Sequence, residues 1–254
     1  RGPVLEVTDG RRWTRAPRAS SPMSIGATQL LGASVGYEVT LEPTHKRWIF
    51  ALEMPREVSA DAVANSRGEL RVDKPLRERI KYRAQSVLNF KFDASSPVEL
   101  REALRLRKGF HPNARRLARK WRSETDDTEA LVNFALDYFR DGPFVYTLRP
   151  PLLDGDAIDE FMFLTHRGFC EHYAAAFTVL MRAAGVPARV VTGYQGGEWN
   201  EVGGYWIVRQ RDAHAWTEVW MRGVGWRRVD PTAMVSPERI GQGIDVVMPE
   251  SAGD

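Results

Sequence analysis

The chain has 254 residues, 43% of them hydrophobic and 27% charged, a composition that excludes collagen-like, disordered and disulfide-scaffold classes. Lys and Arg number 36 against 33 Asp and Glu, a net charge of only +3. This balance argues against a nucleic-acid partner, because phosphate binding needs a concentrated basic footprint. Cys170 is the single cysteine, so no intrachain disulfide forms. The longest uncharged stretch, Ala19 to Tyr37, is broken by Ser, Pro, Gln, Thr and Gly, whereas a bilayer span needs about 20 mainly apolar residues. No apolar targeting core opens the sequence. A start at Arg1 rather than Met is expected of a piece excised from a longer protein.

Residues 1–95 read as a β-rich subdomain. Tyr37 to Leu41, Leu70 to Val72 and Ile80 to Tyr82 alternate apolar and polar side chains, which puts one face on a core and the other in water. Turn clusters at Ala16 to Pro22 and Asn65 to Gly68 punctuate them, the pattern of a small sandwich or barrel. Gly32-Ala-Ser-Val-Gly36 satisfies the spacing of a serine-hydrolase elbow, but that motif needs a strand before it and a helix after it, and here a strand follows.

Spacing turns helical near Ser96-Pro97, opening a connector over 96–125. Asn113 is a candidate cap for a helix to Trp121, and Asp126 or Thr128 for the next. In that second helix Leu131, Phe134, Ala135, Tyr138 and Phe139 form one apolar stripe, which Asp141-Gly-Pro143 ends. Between Pro97 and Arg122 nine Lys or Arg face two Glu, read as a solvated face. His45 and His111 read as surface loop residues. Asp154, Asp156, Asp159 and Glu160 read as an acidic loop that lacks the remaining positions of a calcium loop.

Residues 126–254 hold the informative segment. Cys170 to Ala184 has no Pro or Gly and stops at Gly185-Val-Pro187. Strand-like runs follow at Arg189–Tyr194, Tyr205–Arg209, Ala215–Met221 and Trp226–Val229, separated by Gly-rich turns that imply antiparallel pairing. The thiol of Cys170 lies at the start of the helix, where unpaired N–H groups favour a thiolate. A thiol nucleophile needs a base and an acid that orients it. His214 follows 44 residues later and Asp230 another 16. In a hairpin the start of one strand lies beside the end of the other, so His214 and Asp230 meet, and Pro231 holds Asp230 extended. The arrangement predicts a Cys170–His214–Asp230 triad. His166, Cys170 and His172 do not read as a zinc site, because no fourth ligand is nearby. Glu218 reads as a buried hydrogen-bonding partner, and Trp199, Trp206, Trp216 and Trp226 chiefly as core.

The segments Gly168-Phe-Cys-Glu-His-Tyr-Ala174, Gly185-Val-Pro-Ala-Arg-Val-Val191, Gly193-Tyr194, His214-Ala-Trp-Thr-Glu218 and Trp226-Arg-Arg-Val-Asp-Pro-Thr232 resemble the transglutaminase-like superfamily in content and order. The likeness covers roughly Leu131 to Ile240, and the whole chain resembles the soluble domain of TgpA-type bacterial inner-membrane proteins. The resemblance implies an α+β, papain-like transglutaminase core, with the nucleophile helix on an antiparallel sheet, preceded by the β-rich subdomain. It implies no cofactor, a protein or peptide glutamine donor, and a primary-amine acceptor; the absence of a metal is read from the acidic cluster itself. It also implies a periplasmic location, with membrane tethering through segments outside this chain. By position Cys170 matches the nucleophile, His214 the base and Asp230 the orienting acid. The backbone N–H of Cys170 supplies one oxyanion donor, and the second is left open between Trp121 and Tyr146. The same triad would equally serve a cysteine protease, peptidase or amidase, and a catalytically weak cell-envelope binding module is a further alternative.

Overall fold

In the computed structural model, residues 1–16, 28–92 and 95–241 are described; most of the turn cluster at 16–22 lies outside them. The N-terminal part contains two three-stranded sheets. Ile80–Val87 pairs antiparallel with both Ser34–Leu41 and Pro55–Val58, and Leu70–Val72 pairs with Trp48–Ile49 and Ala62–Ala64. Ile49, Leu70, Leu76 and Tyr82 are buried between them, with Tyr37, Val39 and Val58 packed against that cluster. Both sheets thus share one apolar layer, as period-two alternation requires. The Gly32-to-Gly36 segment enters the first of these strands at Ser34, so no strand–helix elbow forms there.

A further, six-stranded sheet carries His214 and leads into Asp230. Its order is Val4–Leu5, Ala188–Tyr194, Ala213–Met221, Gly225–Val229, Phe90–Phe92 and Thr28–Leu30. All pairs are antiparallel except 90–92 against 225–229. Tyr205–Ile207 does not join it. That strand pairs with Glu198–Asn200 in a separate hairpin, where Trp199 and Trp206 are exposed. The core reading therefore holds for Trp216 and Trp226, which are buried, and fails for Trp199 and Trp206.

Six α-helices are present among the described residues: α1 Pro97–Glu102, α2 Pro112–Glu124, α3 Thr128–Asp141, α4 Ala157–Glu160, α5 Cys170–Ala183 and α6 Pro237–Gly241. Helix α5 is buried along most of its length. Its run of small residues, Ala174-Ala-Ala176, lets it lie close to the 213–221 strand, and Thr217 Oγ1 donates to the Ala174 carbonyl at 3.0 Å. Leu131, Ala135 and Phe139 of α3 are buried against the same core, with Phe134 and Tyr138 half-buried beside them.

Helix starts differ from expectation in an instructive way. Asp127, not Asp126 or Thr128, caps α3 through the N–H groups of Glu129 and Ala130. Asn113 does not cap α2. There Asp159, remote in sequence, accepts the N–H of Asn113 and of Ala114 at 2.8 and 3.0 Å. His111, expected at the surface, is buried, and its Nδ1 lies 2.6 Å from Asp156. Glu160 accepts from the N–H of Gly155. The acidic stretch is thus a set of acceptors for orphan backbone donors, which a helix N-terminus always leaves.

Candidate functional site

Cys170 is the first residue of α5 and is 6% exposed. A two-residue parallel ladder precedes it, Val145 opposite Arg167 and Tyr146 opposite Gly168. This ladder sets Tyr146 beside the loop that carries the thiol. Gly168 is required by close approach: a Cβ there would come within 2.7–2.9 Å of His172 and Phe161. His172 Nδ1 accepts the Phe169 N–H at 3.4 Å, and burial lowers the His172 pKa. The ring of His166 packs edge-on against Phe144. Among the described residues no group of three His, Cys, Asp or Glu could hold a metal ion.

Cys170 packs against Ala215, the residue after His214, and against Val190 and Ala174. His214 is itself 3% exposed, and its Nε2 lies 2.7 Å from Asp230 Oδ2. Its Nδ1 is buried and has no hydrogen-bond partner. Asp230 follows the 225–229 strand and caps the short turn 231–234, accepting the Thr232 N–H at 3.2 Å. Trp216 lies near-parallel to the imidazole at 6.3 Å, and Arg228 sits 4.2 Å over the Trp216 ring and 3.5 Å from Asp230. Gly193 stands opposite His214 in the ladder, and a Cβ there would meet the Trp216 ring at 2.8 Å. The hairpin geometry read from the sequence therefore brings His214 and Asp230 together, and Cys170 packs against the next residue of the same strand.

A cleft of about 970 Å³ opens over this group. Cys170, His214, Tyr146 and Tyr194 line it, with Trp48 and Leu41 contributed by the N-terminal sheets. Burial pushes the Cys170 thiol up to about 11, against the opposing N–H of Ala215 and charge of Arg239. The helix start had suggested the reverse. Desolvation of a small anion outweighs half a unit of helix charge when the sulfur is nearly covered. Burial also raises the Asp230 carboxyl, but the bond and charge of His214, then the charge of Arg228, outweigh it and hold the pKa below its ordinary value.

Glu218 does not face the cleft. It is buried, accepts from Arg189 Nε at 2.9 Å and pairs with Arg1. Two residues near the thiol went unassigned by sequence reasoning. Tyr146 was one of two open candidates for an oxyanion donor; Arg239 lies on a five-residue helix with no motif around it, and no sequence signal would have found it.

Residues 115–231 match the family model of the transglutaminase-like superfamily, and residues 1–92 match that of the TgpA N-terminal domain. The crystal structure of the periplasmic domain of TgpA from Pseudomonas aeruginosa is 40% identical, with a TM-score of 0.92 over 96% of this chain and 84% of that one. The chain belongs to the TgpA family of transglutaminase-like proteins. A second TgpA structure, bound to ethylmercury, gives 41% identity and a TM-score of 0.88, covering 93% of this chain and 84% of that one. Among curated relatives, the protein-glutamine gamma-glutamyltransferase of Pseudomonas aeruginosa is 41% identical over 99% of this chain, which spans 37% of that protein's length. An uncharacterized Bacillus subtilis protein, YebA, is 36% identical over 46% of this chain and 17% of its own. The α+β fold, with a β-rich N-terminal part before the transglutaminase-like core, is the TgpA architecture.

Proposed function

We propose that this chain is the catalytic domain of a transglutaminase-type cysteine acyltransferase. The observation that carries the reading is the buried, partnerless Nδ1 of His214, with Nε2 engaged by Asp230, on the strand against which Cys170 packs, Cys170 and His214 lining one cleft. A buried ring nitrogen without a partner costs about 1–3 kcal/mol, and a proton received from the thiol supplies one. Asp230 fixes the tautomer that leaves Nδ1 as the acceptor.

The reaction then balances as follows. The thiol proton passes to His214 Nδ1 as sulfur bonds to the carboxamide carbon of a glutamine side chain. Imidazolium returns that proton to the leaving nitrogen, ammonia departs, and a thioester remains on Cys170. A primary amine, deprotonated by His214, attacks the thioester, and the thiolate leaves to recover its proton. No cofactor enters these steps. Because the thiol is pushed up to about 11, transfer to His214 within the pair, rather than loss to solvent, generates the nucleophile. By the same family relationship the domain works in the periplasm on cell-envelope proteins, tethered to the inner membrane by segments beyond this chain. Among the described residues no helix is long and apolar enough to cross a membrane.

The test is incubation with a glutamine-bearing protein and a fluorescent primary amine. Covalent labelling that disappears in Cys170→Ala is the expected result. New peptide ends without labelling would reassign the triad to proteolysis, and ammonia without labelling to amidase chemistry. A silent thiol and no product would leave only a binding module.

A further inference from the structure

The hairpin of Glu198–Asn200 and Tyr205–Ile207 stands outside the six-stranded sheet, and its large apolar side chains meet water. Trp199 is 47% exposed, Trp206 64% and Val208 50%. Trp199 lies directly opposite Trp206 in the ladder, with ring centroids 5.4 Å apart. Val208 follows two residues after Trp206, the spacing that returns an extended chain to the same face. It also lines the cleft of Cys170 and His214, together with Gln210 and Arg211. One apolar stripe thus runs from the Trp pair to the cleft wall.

Polar contacts hold this hairpin in shape. Asn200 Oδ1 accepts the Gly203 N–H at 2.8 Å and closes the turn. Glu198, opposite Ile207, pairs with Arg209 and, at 3.4 Å, with Arg211. Because Arg211 is a cleft residue, that carboxylate ties the hairpin to the cleft wall. Single exposed apolar residues need no account, but a contiguous set rimmed by charges marks an interaction site. Trp is among the residues that most often carry the energy of such contacts.

The size of the cleft points to the occupant. Its volume of about 970 Å³ stands at the upper end of the roughly 300–1,000 Å³ that buries a drug-sized ligand. One carboxamide side chain fills a small part of that space. Neighbouring residues of the same polypeptide fill more of it, and the apolar stripe continues the cleft past Val208.

We propose that the 198–208 segment is the docking face for the polypeptide that carries the reactive glutamine. Trp199, Trp206 and Val208 receive large apolar side chains that flank the glutamine. The inference rests on the acyl-transfer reading above and specifies its donor: an extended segment with residues such as Leu or Phe beside the glutamine, rather than free glutamine or a polar peptide. Laying such side chains on the two rings removes apolar surface of both partners from water.

The experiment uses two short end-blocked peptides with a central glutamine, one flanked by Leu and Phe, the other by Ser in the same places. Binding is read by fluorescence anisotropy on Cys170→Ala, which needs no acyl transfer, and KM by amine incorporation on the chain with its thiol. The Leu/Phe peptide should bind about tenfold or more tighter than the Ser peptide, the scale of one truncated interface aromatic. Trp199→Ser combined with Trp206→Ser should abolish that preference, raising Kd and KM for the Leu/Phe peptide by the same factor. The Ser peptide should shift by less than about threefold. Both residues lie outside the core, and circular dichroism checks the fold; should the double variant not fold, Trp206→Ser and Val208→Ser singly decide. Equal affinity for the two peptides, or a preference that survives the substitutions, overturns the proposal. Vesicles of phosphatidylglycerol and phosphatidylethanolamine, and sedimentation of the parent alone, test the other occupants. Trp-dependent vesicle binding or a Trp-dependent dimer, without a Trp-dependent peptide preference, gives the face to lipid or to a second copy and overturns it. A parent chain that incorporates no amine yet shows the Trp-dependent preference would sink the transferase reading and leave the docking face standing.

Discussion

Asp230 meets His214 at 2.7 Å and the N–H of Thr232 at 3.2 Å, so its carboxylate is fixed from two sides before any substrate arrives. Asp230→Asn keeps the shape but lets the imidazole adopt the wrong tautomer, and substitutions of this kind cost about 10⁴ in kcat. The prediction is a loss of about 10³–10⁴ in amine incorporation with an unchanged circular-dichroism spectrum. A loss under tenfold would contradict the orienting role. Because its pKa is held below the ordinary value, Asp230 stabilises the fold at neutral pH, and that contribution fades only as pH falls through its lowered pKa, on the acid side of about 4. The placement of the proposed triad was legible because each member sits at a feature that sequence marks well: a helix start, a strand start, and a residue held by Pro231. The sign of the thiol shift was not, since burial of Cys170 depends on strands 188–194 and 213–221 closing over it. Arg239 was illegible for the same reason: its partners are carbonyls, which carry no residue identity.

Helix α2 shows how an element can borrow its start. His111 at the cap has a left-handed φ of 57° and makes no side-chain cap bond, so the exposed N–H groups depend on Asp159 across 45 residues. Asp159→Ala should cost about 1–2 kcal/mol, the scale of a lost cap, read as a lower midpoint in denaturant with the slope unchanged. No change in midpoint would refute the borrowed cap. On α5, Phe177 is 0% exposed, and Phe177→Ala should cost about 3–5 kcal/mol; a cost below about 1 kcal/mol would mean that the helix does not anchor the core. Helical spacing foretold α2 and the stripe of α3, and the Pro- and Gly-free run stopping at Gly185-Val-Pro187 foretold α5. Cap identity was misread at α2 because a carboxylate distant in sequence leaves no local pattern for spacing rules to detect.

For the molecule as a whole, the N-terminal residues are built into the catalytic sheet. Val4–Leu5 forms one edge, pairing with 188–194, and Phe90–Phe92 pairs with 225–229. A buried ionic seam joins the same parts: Arg67 to Glu6 at 2.7 Å, Arg189 to Glu218 at 2.9 Å, and Arg1 to Glu218. Burial raises Glu218, but the charges of Arg1 and Arg189 overcome it and hold the carboxyl below its ordinary value. Its folded pKa being depressed, the stability it contributes is present above about 4.3 and is lost as pH falls toward the folded value. Glu218→Ala strands Arg189 and should cost about 3–5 kcal/mol at neutral pH, with a shallower acid limb than the parent; a steeper limb would contradict the seam. The cleft likewise draws Trp48 and Leu41 from the N-terminal sheets and Cys170 from α5, so both parts line it. The account stands on Cys170 forming a bond to the acyl donor. Intact-mass spectrometry of the chain mixed with a glutamine peptide, without amine, tests this most directly. The prediction is an adduct of the peptide less ammonia, mapped to Cys170 and absent in Cys170→Ala. Ammonia released at the parent rate by Cys170→Ala would contradict it.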